Sequence, residues 1–333
     1  MSFITNIRSV AKYESKILVR SWFFRIFTLL AVVFLGFFNF AMMLMEDNFG
    51  LWFAKSVSSN IPYLNLLLLN TGQAVVAVFL SSEFLKRDKK LDTSEVFYVR
   101  PLSNAEYVVG KIWGNLRVFL FLNLLVLAIV LAFNFMASGV TVDLPAYLIY
   151  FFLISIPTLI FIIGLSIFLM LLLKNQALTF ILLLGYIGLT LFYIQDKFYY
   201  LFDYMVYNLP LFKSTIVGFS NLELILNHRA IYFFAGLGFI FFTIFLFKRL
   251  PNARRSHYPW LFLSFCMFLL MGTAGFRHVR SILREGEMRA LYTSINNKYV
   301  YEPKMAIDYY DISVEQKSET IRSVVGMEGT ALA

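Results

Sequence analysis

The 333-residue chain is 59% hydrophobic and 18% aromatic but only 15% charged, with a mean hydropathy of +0.72. A soluble domain carries roughly 45–50% apolar and about 25% charged residues, so this composition excludes a water-facing globule and marks a multi-spanning membrane protein. The net charge of +9 therefore takes its meaning from its placement around the spans, and the single cysteine, Cys266, excludes an intrachain disulfide or a cysteine-cluster metal site.

At 100° per residue, Arg8, Lys12, Lys16 and Arg20 fall on one stripe, opposite Phe3, Ile4, Ile7, Val10, Ala11, Ile17 and Leu18. This predicts a basic amphipathic helix over 1–21, lying in the membrane plane. Apolar runs bounded by charge then predict seven spans, at 22–45, 62–82, 112–135, 145–173, 176–194, 230–247 and 259–276, each close to the ~20 residues that cross a bilayer. Only Lys174 and Asn175 separate the fourth from the fifth, which predicts a tight turn. With the N-terminus inside, the inner segments hold fifteen Lys and Arg residues, while the outer segments before the last span hold four: Lys55, Lys197, Lys213 and Arg229. Basic residues stay cytoplasmic, so this orientation is favoured, and seven spans put the C-terminus outside. Arg277, Arg280, Arg284 and Arg289 oppose that last step; a seventh run that was only an interfacial hairpin would leave the tail inside.

The longest and most charged interruption is the loop 83–111, expected on the cytoplasmic side. Asp92-Thr93-Ser94-Glu95 can cap a short helix that Pro101 must stop, and Ser103-Asn104-Ala105-Glu106 is a full capping box opening a helix through Tyr107, Gly110 and Lys111 into the third span. Such a unit can carry a push from a cytoplasmic partner into the membrane. Residues 195–229, with Phe198, Tyr199, Tyr200, Phe202, Tyr204, Tyr207 and Phe212 broken by Pro210, predict short helices dipping into the outer leaflet. In the tail 277–333, residues 277–295 read as helix. Alternation in Ile312-Ser313-Val314-Glu315 and Ile321-Arg322-Ser323-Val324 reads as strand that needs more sheet or a partner.

Catalytic motifs are missing from the sequence. A phosphate-binding loop needs glycine at position 105, which is Ala, and Ser or Thr after Gly110-Lys111, which is Ile112. The histidines, His228, His257 and His278, lie far apart in sequence and form no His-Glu-x-x-His zinc motif; packing and solvation are their expected roles. No Gly-x-Ser-x-Gly elbow occurs. Arg25 and Arg117 lie near span ends, and no buried acidic relay accompanies them. Asn65, Asn70, Gln73 and Asn123 lie inside spans two and three, where they can line a substrate path or bond helix to helix.

The entry helix, the first span, and a second span running into Glu83, Lys86-Arg87-Asp88, Thr93, Glu95, Pro101-Leu102-Ser103, Glu106-Tyr107 and Gly110-Lys111 together resemble the permease subunits of type-2 ABC exporters, over roughly residues 1–250. The resemblance implies an all-α polytopic fold: a six-span permease bundle over 22–250, to which this chain adds a seventh span and a small β-containing extracytoplasmic tail. It further implies that 1–21 is an elbow helix and that the loop docks on a separate ABC ATPase through Asp92, Thr93, Glu95, Phe97, Arg100 and Pro101. Segment 195–229 would be the outer re-entrant element. The implied partners are the ATPase, which would bind ATP and Mg, a second permease, and membrane lipid; no cofactor, metal or nucleic acid is expected for this chain. The implied place is the cytoplasmic (inner) membrane. The added span resembles larger permeases, including permease-aminopeptidase fusions, but no peptidase residues accompany it. The alternative is a membrane anchor or embedded part of an extracytoplasmic enzyme, or a signalling or assembly component.

Overall fold

The computed structural model describes residues 3–44, 57–82, 102–136, 141–194, 196–214, 217–247, 258–300, 302, 305–317 and 320–331. Its helices are α1 (Phe3–Arg20), α2 (Trp22–Leu44), α3 (Asn60–Ser82), α4 (Asn104–Met136), α5 (Leu144–Leu173), α6 (Gln176–Ile194), α7 (Leu222–Leu246) and α8 (Tyr258–Tyr299). All but α1 are long and apolar enough to cross a membrane, seven among the described residues. The chain is an all-α polytopic membrane protein. Residues 1–280 form one compact unit and 281–333 a second.

Local chemistry sets the helix ends. Asp143 accepts the Ala146 amide at the start of α5, Asn175 the Leu178 amide at α6, and Asn221 the Leu224 amide at α7. Lys174, at a φ of 54°, adopts the left-handed turn that closes α5, and Asn175 opens α6 directly after it. Ser103 and Glu106 form the reciprocal pair at the head of α4: the Ser103 amide donates to Glu106 Oε2 at 2.6 Å, and the Glu106 amide donates to Ser103 Oγ at 3.2 Å. Because Asn221 caps α7, that helix begins eight residues before the span expected at 230–247.

The first unit buries a continuous apolar core among α3, α4, α5 and α7. Its tightest crossing joins α5 to α7 at Gly164 and Gly236: a Cβ on Gly164 would lie 2.6 Å from the Gly236 carbonyl oxygen. Only hydrogen at both positions lets the two backbones touch. By contrast, α2 turns Leu29, Leu30, Val33, Phe34 and Phe37 outward, and α6 exposes Ile181, Leu182, Leu189 and Phe192. Water would penalise such faces, whereas hydrocarbon does not.

The segment between α6 and α7 departs from the expected short helices. It holds one 3₁₀ turn, Phe198–Tyr200, and a two-residue pairing of β1 (Lys213–Ser214) with β2 (Gly218–Phe219). The 3₁₀ turn is left-handed, with φ of 52°, 59° and 62° at Phe198, Tyr199 and Tyr200, so it cannot extend into an ordinary helix. Beyond the turn the chain passes into the interior, burying Asp203, Tyr204, Met205, Val206, Leu209 and Leu211.

In the second unit, β3 (Met305–Lys317) pairs antiparallel with β4 (Thr320–Ala331). Register places Tyr310 opposite Met327, Ile312 opposite Val325 and Gln316 opposite Ile321 on one face. Asp311, Glu315 and Arg322 fall on the other, so the hairpin is amphipathic.

Candidate functional site

The loop residues Asp92, Thr93, Glu95, Phe97, Arg100 and Pro101 lie outside the described residues. The helix that follows them is described, and the motif residues at its head converge on one joint. Glu106 closes the capping box and also accepts the Asn6 side-chain amide at 2.9 Å. Tyr107 stacks on Phe247 with ring centroids 5.5 Å apart, and Asn104 Nδ2 donates to the Phe247 carbonyl at 2.6 Å. Gly110 and Gly114 face α1: an added Cβ would lie 2.7 Å from Val10 Cβ in the first case and 2.7 Å from Glu14 Cβ in the second. These two glycines, four residues apart, let α1 lie directly on α4.

Inside that contact Lys111 Nζ lies 3.1 Å from Glu14 Oε1, with side chains 1% and 4% exposed. Ser15 Oγ donates to the Gly114 carbonyl at 2.6 Å, while Arg117 donates from Nη2 to the Ala11 carbonyl at 2.8 Å and from Nε to Ser15 Oγ. The entry helix therefore has three sectors. Ala11, Glu14, Ser15 and Leu18 are buried; Arg8, Lys12, Lys16 and Arg20 are exposed; and Phe3 and Tyr13 are exposed apolar flanks. Sequence reasoning found the basic stripe and placed Lys111 on the helix into the third span, but missed Glu14 and the pair that the two form. The available signals were that Glu14 is the sole acidic residue of α1 and that Gly110 and Gly114 have the small-xxx-small spacing.

Removing one member of a buried pair strands the other charge. Glu14→Met or Lys111→Met alone is expected to destabilise the protein by about 3 kcal/mol or more, and the double variant by much less. Thermal unfolding in detergent across the double-mutant cycle measures this.

The structure brings three of the four candidate path residues, Asn70, Gln73 and Asn123, together and pairs the fourth, Asn65, with another residue. Asn65 pairs reciprocally with Asn39 of α2, Nδ2 to Oδ1 at 2.7 and 3.1 Å. Asn70, Asn123 and Gln73 close a ring: Asn70 donates to Asn123 at 3.3 Å, Asn123 to Gln73 at 2.9 Å, and Gln73 to Asn70 at 2.7 Å. Ser155 of α5 donates into the ring at Asn123 Oδ1, 2.8 Å away. All four candidates are 0–1% exposed, and their amides join α2 to α3 and α3 to α4 and α5. A fully satisfied polar ring rigidifies the apolar interior around it.

Arg229 is the charged group that sequence reasoning placed in a connecting segment. It lies in the second turn of α7 and is 2% exposed. Pro157 of α5 has no amide hydrogen, so the Leu153 carbonyl four residues earlier loses its helical partner; the chain runs through a π-helical turn there, Phe151–Ser155. Arg229 Nε donates to that carbonyl at 2.6 Å, Nη2 to Thr158 Oγ1 at 2.8 Å and Nη1 to the Tyr204 carbonyl at 3.0 Å. The guanidinium thus fastens the broken helix to the buried segment above it. Other carbonyls of that segment are served likewise: Tyr150 donates to Leu211 at 2.8 Å, Tyr63 to Val206 at 3.3 Å, Ser59 to Lys213 at 2.6 Å, and Tyr232 to Leu201. Asp203 accepts the Asn208 and Tyr207 amides at 2.7 and 3.0 Å. Burial pushes its carboxyl above the ordinary range, against the pull of those amides and of Arg229.

Two histidines show the packing expected of them, but against each other and away from solvent. His257 lies outside the described residues, but His228 and His278, fifty residues apart in sequence, are both buried with ring centroids 5.1 Å apart. Neither the proline-orphaned carbonyl nor the histidine contact has a local sequence signature beyond Pro157 itself.

Arg229→Lys is expected to lower stability nearly as much as Arg229→Met, by about 3 kcal/mol, because an ammonium is a point donor and cannot bridge Leu153, Thr158 and Tyr204 together. Melting temperatures of the two variants in detergent test it.

Comparison with known proteins finds no family model and no curated protein that matches this chain.

Proposed function

We propose that this chain is the membrane-spanning permease subunit of an ATP-driven exporter of the type-2 ABC kind, working with a separate nucleotide-binding subunit that binds and hydrolyses ATP with Mg. The observation that carries the reading is the joint at the head of α4. Segment 83–101 leads from α3 into a capped helix start, and within the next fourteen residues that helix is locked to α1 by Lys111–Glu14, Gly110 and Gly114 and to the end of α7 by Asn104 and Tyr107. A displacement applied to the segment would enter three helices together. An ordinary turn between spans needs no such fastening.

In this reading Asp92, Thr93, Glu95, Phe97, Arg100 and Pro101 meet the ATPase. The distribution of Lys and Arg over the first six spans supports a cytoplasmic N-terminus in the inner membrane, and a seventh crossing then leads α8 to an extracytoplasmic tail, against the pull of Arg277, Arg280, Arg284 and Arg289. A second permease, identical or different, completes the transporter, and the outward apolar faces of α2 and α6 meet lipid or that second copy. Alternating access requires helices to shift against one another. Passage beside Asn65, Asn70, Gln73 and Asn123 would then require the amide ring to exchange its internal bonds for bonds to cargo.

Glu95→Ala combined with Arg100→Ala is expected to reduce association with the nucleotide-binding subunit at least tenfold, while the melting temperature of the purified permease stays unchanged. A pull-down from detergent-solubilised membranes measures it; undiminished association would refute the docking assignment.

A further inference from the structure

We propose that His228 and His278 form a buried proton-binding site whose charging opens the contact among α7, α8 and the left-handed turn at 198–200. The inference is independent of the transport reading.

The geometry fixes the state of both rings. His228 Nε2 lies 3.0 Å from the Tyr200 carbonyl oxygen, and His278 Nε2 lies 2.9 Å from the Tyr199 carbonyl oxygen. A carbonyl only accepts, so each Nε2 carries the hydrogen, and in the neutral ring each Nδ1 is left as a lone-pair acceptor. Both Nδ1 atoms are buried with no hydrogen-bond partner. Two basic nitrogens are thus held on facing rings, without protein donors, in a site closed to solvent.

The surroundings are arranged for neutral rings. From α7, His228 faces the Tyr232 ring at 5.3 Å and the cationic Arg229, its neighbour in sequence. The Leu224 backbone approaches His278 closely enough to accept from its ring. The nearby carboxylates are engaged elsewhere: Glu223 pairs with Arg277 at 3.0 Å in an exposed bridge between α7 and α8, and Asp203 accepts the Tyr207 and Asn208 amides. Neither imidazole forms an ion pair among the described residues. A proton added at His228 Nδ1 creates a second buried cation beside Arg229 and a donor with no acceptor, both unfavourable away from water. Proton uptake is therefore favoured in an opened state in which the rings reach water.

The turn supplies an element ready to relax. Three consecutive non-glycine residues in left-handed geometry are intrinsically unfavourable, and the donors from His228 and His278 hold two of their carbonyls. Linkage sets the sign. The closed state binds fewer protons than the open one, so closure is favoured above the free-imidazole range near pH 6.5 and weakens as pH falls through it. With two imidazoles, opening grows by up to about a hundredfold per pH unit well below that range.

The full chain in nanodiscs, labelled with ¹⁵N-histidine, tests this directly, because it contains three histidines and His257→Gln leaves only the pair. At pH 7.5 both imidazoles should show the neutral Nε2–H tautomer. Between pH 7.5 and 5.0, hydrogen exchange at the Tyr200 and Leu201 amides, corrected for the intrinsic pH dependence, should rise at least tenfold. The variant carrying His228→Gln and His278→Gln keeps amide donors for the two carbonyls but has no site for the proton, and should lose that dependence. An Nδ1–H tautomer in the wild-type rings, pH-independent exchange, or the same dependence in the glutamine variant would overturn the proposal. So would capture of added Zn²⁺ by the two rings at pH 7.5, which would make the pair a metal site.

Discussion

Hydrocarbon offers no hydrogen bonds, so the backbone polar groups that this chain carries into a membrane must find their partners within the protein. The interior is organised around that constraint. Helices satisfy their own backbones, and where Pro157 breaks the ladder in α5, Arg229 arrives from α7 to take the orphaned carbonyl. The irregular segment between α6 and α7 pairs internally through short-range turns and one two-residue ladder. Several of its carbonyls are also met by tyrosine, serine, threonine, histidine and arginine donors from the helices around it, which is a reason for its neighbours to be rich in tyrosine. The amides of Asn70, Gln73 and Asn123 meet the same requirement by closing on themselves.

The same rule gives the entry helix its mechanical character. An amphipathic helix held at a surface by apolar residues alone could slide or roll. Here a buried ion pair, two glycines that admit direct backbone contact, and an arginine fork fix α1 on α4 in one register. The capping box at Ser103 and Glu106 then makes the start of α4 well defined, so that the joint sits immediately after the charged loop. Stiffness at that point is what transmission of work requires, and it is costly in conformational freedom for a loop with no such task.

How far the fold was legible in the sequence depends on the range over which each signal acts. Long apolar runs and the Ser103–Glu106 box are local, and the structure has helices at all seven runs and the reciprocal bonds of the box. Alternation around Ile312 and Ile321 is local too, and strands are found there. The amphipathic stripe of α1 was legible, but its third sector was not, because Glu14 has meaning only once Lys111 lies against it. Arg229 read as a loop cation because the uninterrupted apolar run begins at Ala230; the Asn221 cap extends α7 back past it and buries it. His228 and His278 meet through tertiary packing alone. For Asn65, Asn70, Gln73 and Asn123 the residue types were legible, whereas their mutual pairing depended on which helix faces met. Residues 83–101, which carry the docking assignment, rest on the sequence resemblance and on the joint beside them.

The central claim is that the loop between α3 and α4 faces the cytoplasm and receives work from an ATPase through a rigid connection to α1 and α4. Its most direct test places one cysteine in the loop, Phe97→Cys, in a chain whose native thiol is removed by Cys266→Ala, and labels it with a membrane-impermeant maleimide. Labelling confined to inside-out vesicles, and blocked when the nucleotide-binding subunit is bound, is the predicted result. Labelling from the exterior of intact cells would contradict the account.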